Sequence, residues 1–200
     1  MNTMTATITN STLSNNTASS TDDQSFGGGI INHKGTLTMT YSTLLGNMAV
    51  STNSTSFGGG IDSDGENITL STSIVAANKA QQGPDFELDT VAIAGSFTSG
   101  GYNLIQDNTG VNGLSVTDQQ VTLSDLKIDP ILRNNGGPTQ TLALLPGSVA
   151  IDAIPVEACH ITLTDASGNS MTITTDQRGN PRPDGSENMC DIGAYESSYS

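Results

Sequence analysis

Cations are what this sequence has least of: six Lys and Arg stand against 20 Asp and Glu, a formal charge of −14 with no basic cluster. Such a chain is a poor partner for nucleic acid or an anionic membrane surface. Charged residues make up only 13% of the chain, aromatics 4%, and Trp is absent. That scarcity excludes a bundle of amphipathic helices, which needs Glu, Lys, Leu and Ala in bulk. No run approaches the roughly 18 apolar residues of a membrane span. The opening Met1-Asn2-Thr3-Met4-Thr5 has neither the charged nor the apolar region of a secretory signal. The only two cysteines, Cys159 and Cys190, allow one bridge or a pair of buried free thiols. Thr, Ser, Asn and Gly are plentiful instead, in 200 residues that suffice for one domain or an elongated module with a small cap.

An internal repeat sets the architecture. Ser25-Phe26-Gly27-Gly28-Gly29-Ile30 returns as Ser56-Phe57-Gly58-Gly59-Gly60-Ile61, a displacement of 31 residues (57 less 26). The same step carries Ile8 to Met39 to Leu70, Ser11 to Ser42 to Ser73, Leu13 to Leu44 to Val75, Asn16 to Asn47 to Asn78, and Ala18 to Ala49 to Ala80. Within a copy, Leu37, Met39 and Tyr41 alternate with Thr38 and Thr40, and Ile68 and Leu70 alternate with Thr69 and Ser71. Alternation means strands with one apolar and one hydroxyl face.

A short copy cannot bury its apolar row alone, but stacked copies can. The expected fold is all-β: a right-handed, single-stranded parallel β-helix of one copy per coil, with a loop-rich C-terminal cap containing a β-hairpin. Each column becomes a ladder at about 4.8 Å spacing. Asn16, Asn47 and Asn78 are expected to hydrogen-bond along the stack as inward amides at a bend. The glycine runs allow turning and close approach; a phosphate cradle would need a following Lys-Ser/Thr and a helix start, which are missing. Residues 1–98 read as the coils and residues 99–200 as a region that continues into the solenoid and caps it. Met1 falls inside a coil, so the sequence reads as a piece of a longer protein.

The second half carries a dense set of motifs: Gly101-Tyr102-Asn103-Leu104-Ile105, Asp129-Pro130-Ile131-Leu132, Asn135-Gly136-Gly137-Pro138-Thr139-Gln140-Thr141, Leu144-Leu145-Pro146-Gly147-Ser148-Val149-Ala150-Ile151-Asp152-Ala153, Thr175-Asp176-Gln177-Arg178-Gly179-Asn180-Pro181-Arg182-Pro183 and Cys190-Asp191-Ile192-Gly193-Ala194-Tyr195-Glu196. Together, over residues 99–196, they closely resemble the choice-of-anchor Q domain of bacterial surface proteins, which follows β-helix repeats of this kind. The resemblance implies an exported, cell-surface or secreted bacterial protein. Between Cys159 and Asp176, two alternating strands around a polar turn read as a hairpin longer than the usual link in that family. It would return Cys159 toward Cys190, so a disulfide is expected.

Several groups of residues are candidates for chemistry. Asp176, Arg178, Arg182, Asp191 and Glu196 read either as an anion clamp or as a structural ion-pair network fixing the cap, and the network is the expectation. His33 and Asp64 face each other across one coil step beside Lys34, the best catalytic candidate in the solenoid and also an ordinary solvated pair. Paired carboxylates in one column of neighbouring coils would suit glycoside cleavage, but a 31-residue step sets Asp62 against Ile31 and Ile93. Asp62, Asp64 and Glu66 resemble part of a calcium loop without its distal Glu. His33, His160, Cys159 and Cys190 lack zinc spacing.

These features lead to a non-catalytic extracellular module without a cofactor, calcium being the one metal candidate. Its expected partners are surface or extracellular proteins or carbohydrates, or further copies stacked end to end into a fibre. A polysaccharide-binding, lyase or hydrolase β-helix protein is the competing expectation.

Overall fold

The structure is a computed structural model that describes residues 4–64, 67–88, 96–165, 167–185 and 187–199. Parallel strands stack coil on coil into a β-solenoid of about three turns, with very little helix. The first sheet runs Met4–Thr9, Gly35–Thr40, Asn67–Ser71, Ser96–Gly101. The second runs Thr12–Ser14, Thr43–Leu45, Ile74–Ala76, Leu104–Ile105, Gln119–Gln120, and the third Ile30–Asn32, Ile61–Ser63, Phe86–Leu88. Ile8 pairs with Met39 and Met39 with Leu70, so the apolar row of each coil lies on that of the next. Leu37, Met39, Leu44, Ile61, Ile68, Leu70, Val75, Phe86, Phe97 and Ile105 form this inner core.

The bend between the first two sheets uses a left-handed residue in every coil: Asn10, Tyr41, Thr72 and Tyr102, with φ from 45° to 54°. L side chains rarely adopt that conformation, so the stacked packing holds it in place. Glycine is required where coils approach most closely. A Cβ on Gly59 would stand 2.4 Å from the Lys79 carbonyl oxygen, and one on Gly28 would stand 2.4 Å from the Met48 carbonyl carbon.

The 31-residue step fails beyond the second glycine run. Ile61 pairs with Phe86, 25 positions on (86 less 61), because Gln82, Gly83 and Pro84 replace the glycine run of the coil before. Asp62 therefore lies beside Ile31 on one side and Glu87 on the other, which corrects the alignment with Ile93. Ile93 is outside the described residues.

A second core lies outside the coil. Leu44, Val75 and Ile105 point inward, while Leu45, Ile74, Ala76 and Leu104 join Leu126, Leu142, Leu144, Ala150, Ile154, Ile173 and Ile192 in a separate cluster. The second sheet is thus apolar on both faces, and the C-terminal segment covers its outer one. The hairpin Ile161–Thr164 with Ser170–Ile173 and the antiparallel pair Ile154–Pro155 with Met189–Cys190 belong to this flanking layer. Within residues 99–200, the loop preceding Gln119 lies over the last coil of the stack. Val111 in that loop packs on the inner core, and a Cβ on Gly113 would lie 3.4 Å from the Phe97 carbonyl oxygen.

Candidate functional site

The hydroxyl- and amide-rich columns become two internal hydrogen-bond ladders. Asn16 Nδ2 donates to Asn47 Oδ1 at 2.9 Å, Asn47 Nδ2 to Asn78 Oδ1 at 3.0 Å, and Asn78 Nδ2 to Asp85 Oδ1 at 2.8 Å. In parallel, the backbone N–H of Ser11 donates to Ser42 Oγ, that of Ser42 to Ser73 Oγ, and that of Ser73 to Asn103 Oδ1. Asn103 Nδ2 then donates to Asp118 Oδ1 at 2.9 Å. Both ladders end on a carboxylate, and neither aspartate stood out in the sequence because both lie off the 31-residue step.

The five charged residues of the C-terminal motifs converge as a clasp. Arg182, 2% exposed, donates to Glu196 Oε2 at 2.6 Å and to the carbonyl oxygens of Asp191 and Gly193, and its guanidinium stacks 4.1 Å from the Tyr41 ring centroid. Arg178 bonds Asp176 at 2.8 Å, donates to the Glu196 carbonyl and stacks on Tyr195. Asp176 also receives the Glu196 N–H, and Asp191 those of Asp152 and Ser197. Burial pushes the Glu196 carboxyl up, to about 8, against the pull of Arg182, and pushes Arg182 down. The Cys159–Cys190 disulfide, with Cα atoms 5.8 Å apart, closes the same layer, and Tyr41 Oη donates to the Cys159 carbonyl at 2.6 Å. Thr12 Oγ1 donates to Gln177 and Asn10 Nδ2 to the Thr175 carbonyl, so the clasp grips several coils.

The outward strip of the third sheet is the site with exposed chemistry. Asp62 and Glu87 are register neighbours on adjacent coils, both half-buried, and strands in register lie about 4.8 Å apart. Two residues on, His33 Nδ1 lies 2.7 Å from Asp64 Oδ2, and the Lys34 N–H donates to Asp64 Oδ1. Phe26 and Phe57 stack at 5.3 Å and 10° on the approach to this strip. The Gly58 turn after Phe57 folds tightly enough that a Cβ there would meet the Asp62 Cβ at 2.6 Å. Of the calcium candidates, Asp62 and Asp64 share this strip, and Glu66 lies outside the described residues. Among the described residues, no group of three or more His, Cys, Asp or Glu is placed to hold a metal ion.

Sequence reasoning missed one acidic meeting point: Glu187 sits against Asp184 and Asp152, and desolvation followed by those two carboxyls pushes it up to about 7. Among the described residues, no helix is long and apolar enough to cross a membrane. The class that the architecture defines is a β-solenoid with a disulfide-closed flanking layer. No family model matches the chain, and neither a curated protein nor a solved structure does.

Proposed function

We propose that the chain is a non-catalytic structural or adhesive module at the surface of a bacterium or outside it. One observation carries the reading: the charged residues of the second-half motifs are turned inward, with Arg182 and Glu196 almost wholly buried and bonded to each other. Such a network fixes a layer against the solenoid and leaves little to offer a substrate. The disulfide suits an oxidising compartment. The motif resemblance to the choice-of-anchor Q domain, which rests on this sequence alone, gives the surface setting. Among the described residues Met4–Thr9 is an edge strand of the first sheet, which suits end-to-end association of copies, with light scattering at rising concentration as its test. The module is expected to bind extracellular proteins or glycans and to leave a panel of acidic and neutral polysaccharides uncleaved. New reducing ends or unsaturated products would overturn it.

A polysaccharide-cleaving reading is favoured by the Asp62–Glu87 pair beside the Phe26–Phe57 stack, since paired carboxylates near an aromatic platform suit glycoside chemistry. It requires cleavage by the wild type that Asp62→Asn and Glu87→Gln each abolish.

A further inference from the structure

The first sheet presents outward a two-column array of small uncharged side chains. One column is Thr7, Thr38, Thr69 and Thr98, four threonines in register across four strands. The other is Thr5, Thr36, Asn67 and Ser96. Their neighbours Leu37, Met39, Ile68, Leu70 and Phe97 on the three later strands are buried in the inner core and Ile8 on the first packs against it, so these eight positions all face out. All eight are exposed or half-buried, and none carries a charge. A third column, Thr9, Thr40 and Ser71, is largely covered, with Thr40 and Ser71 buried where the flanking layer begins.

Strand stacking fixes the spacing of the two open columns: about 4.8 Å between coils and about 6.6 Å between alternate residues of a strand. Stacking also keeps a sheet flat where free strands would twist. Each threonine offers a methyl group, which orders the water around it, and a hydroxyl, which can both donate and accept a hydrogen bond. Its β-branched side chain is stiff at χ1, so the array is held before any ligand arrives. β-propensity alone would put some threonines on outward positions. It would not keep four in one column nor exclude Lys and Glu from every outward position, which exposed strands commonly use to discourage edge pairing.

We infer that this face binds an ordered water lattice, namely the surface of ice, whose oxygen rows repeat at similar distances in two directions. Hydroxyls at lattice spacing hydrogen-bond to surface waters, methyl groups seat between the rows, and the lack of charge avoids a competing hydration shell. This activity is independent of the adhesive reading: failure of one leaves the other standing.

Ice-affinity partitioning of the whole chain tests it, with a non-binding protein of equal size as control. The wild type is expected to enrich in slowly grown ice and to keep small crystals from coarsening. Thr38→Lys with Thr69→Lys is expected to abolish both effects while circular dichroism and melting temperature stay unchanged. Thr162→Lys, on the hairpin of the flanking layer, is expected to change nothing. If the lysine pair fails to fold, Thr38→Tyr breaks the flat surface with a good strand former and is expected to give the same loss. Exclusion of the wild type from ice as complete as that of the control overturns the inference, as does a folded Thr38→Lys/Thr69→Lys or Thr38→Tyr variant that partitions like the wild type.

Discussion

Asn78 Nδ2 donates at 2.8 Å to Asp85 Oδ1, so a row of amides running through three coils stops at a buried carboxyl group. The other oxygen of Asp85 receives the Asp107 N–H at 2.8 Å, which ties that row to the loop closing the end of the stack. Asn47, at the centre, is fully buried and also donates to the Leu13 carbonyl.

Asp85 should make stability depend on pH. Burial raises its carboxyl to about 6 from 3.8, against the opposing hydrogen bonds from Asp107 and Asn78. A folded-state value above the unfolded one means that the stabilisation is full below about pH 4 and lost as pH rises through about 6. Roughly two pH units correspond to about 3 kcal/mol. Urea unfolding from pH 4 to 7 should show this step in the wild type, and Asp85→Asn should lack it while losing the Asp107 hydrogen bond. Glu196 and Asp191 are raised as well and act in the same direction, so the difference between wild type and variant isolates Asp85.

Replacing Asn47 with Ala takes the side-chain partner from the Leu13 carbonyl, the Asn16 N–H and the Asn16 side-chain amide together, while the Asn78 side-chain oxygen keeps the Asn47 backbone N–H. A loss of about 2–4 kcal/mol in denaturant unfolding is expected. Asn16→Ala, on an exposed rung, should cost less than half as much.

Arg182→Ala leaves the Glu196 carboxyl buried without its cation, with an expected loss of about 3–5 kcal/mol. Arg182→Met combined with Glu196→Leu should cost less than the single change, because the Glu196 carboxyl no longer stands buried without its cation. Equilibrium unfolding of both variants decides. A double variant as unstable as Arg182→Ala would mean that the carbonyl bonds to Asp191 and Gly193 dominate.

The Cys159–Cys190 bridge closes a loop of sequence separation 31, and chain entropy gives it about 4 kcal/mol. Reduction, or Cys159→Ser with Cys190→Ser, should expose the polar turn near Asp165–Asn169 to limited proteolysis while the coil residues 35–76 stay protected. Mass spectrometry of the fragments would show whether the two layers separate in this way.

The inner core was legible in sequence because Ile8, Met39 and Leu70 sit one displacement apart and alternate with hydroxyl residues. The His33–Asp64 contact followed from the same step. The outer core was not legible. Leu45, Ile74, Ala76 and Leu104 occur in continuous apolar runs that hide which face each residue takes, and their partners Leu142, Leu144 and Ile192 lie far along the chain. The Asp62–Glu87 neighbourhood was hidden by the shortened third coil, since a fixed displacement points past Glu87. The clasp was legible as a group of residues but not as a place, because nothing local tells Arg182 that Tyr41 will lie under it.

From rung to rung each side-chain amide hands one hydrogen onward, from Asn16 toward Asp85, while Asn47 and Asn78 also donate back to a carbonyl of the preceding coil, and the onward series gives the stack a polarity like that of an arrow. A carboxylate can take a hydrogen but has none to pass on, so the amide relay has a terminus at Asp85 and an entrance at Asn16, whose oxygen suits a donor from a rung above. A further rung would therefore extend this relay only from the Asn16 side, as a donor to that oxygen.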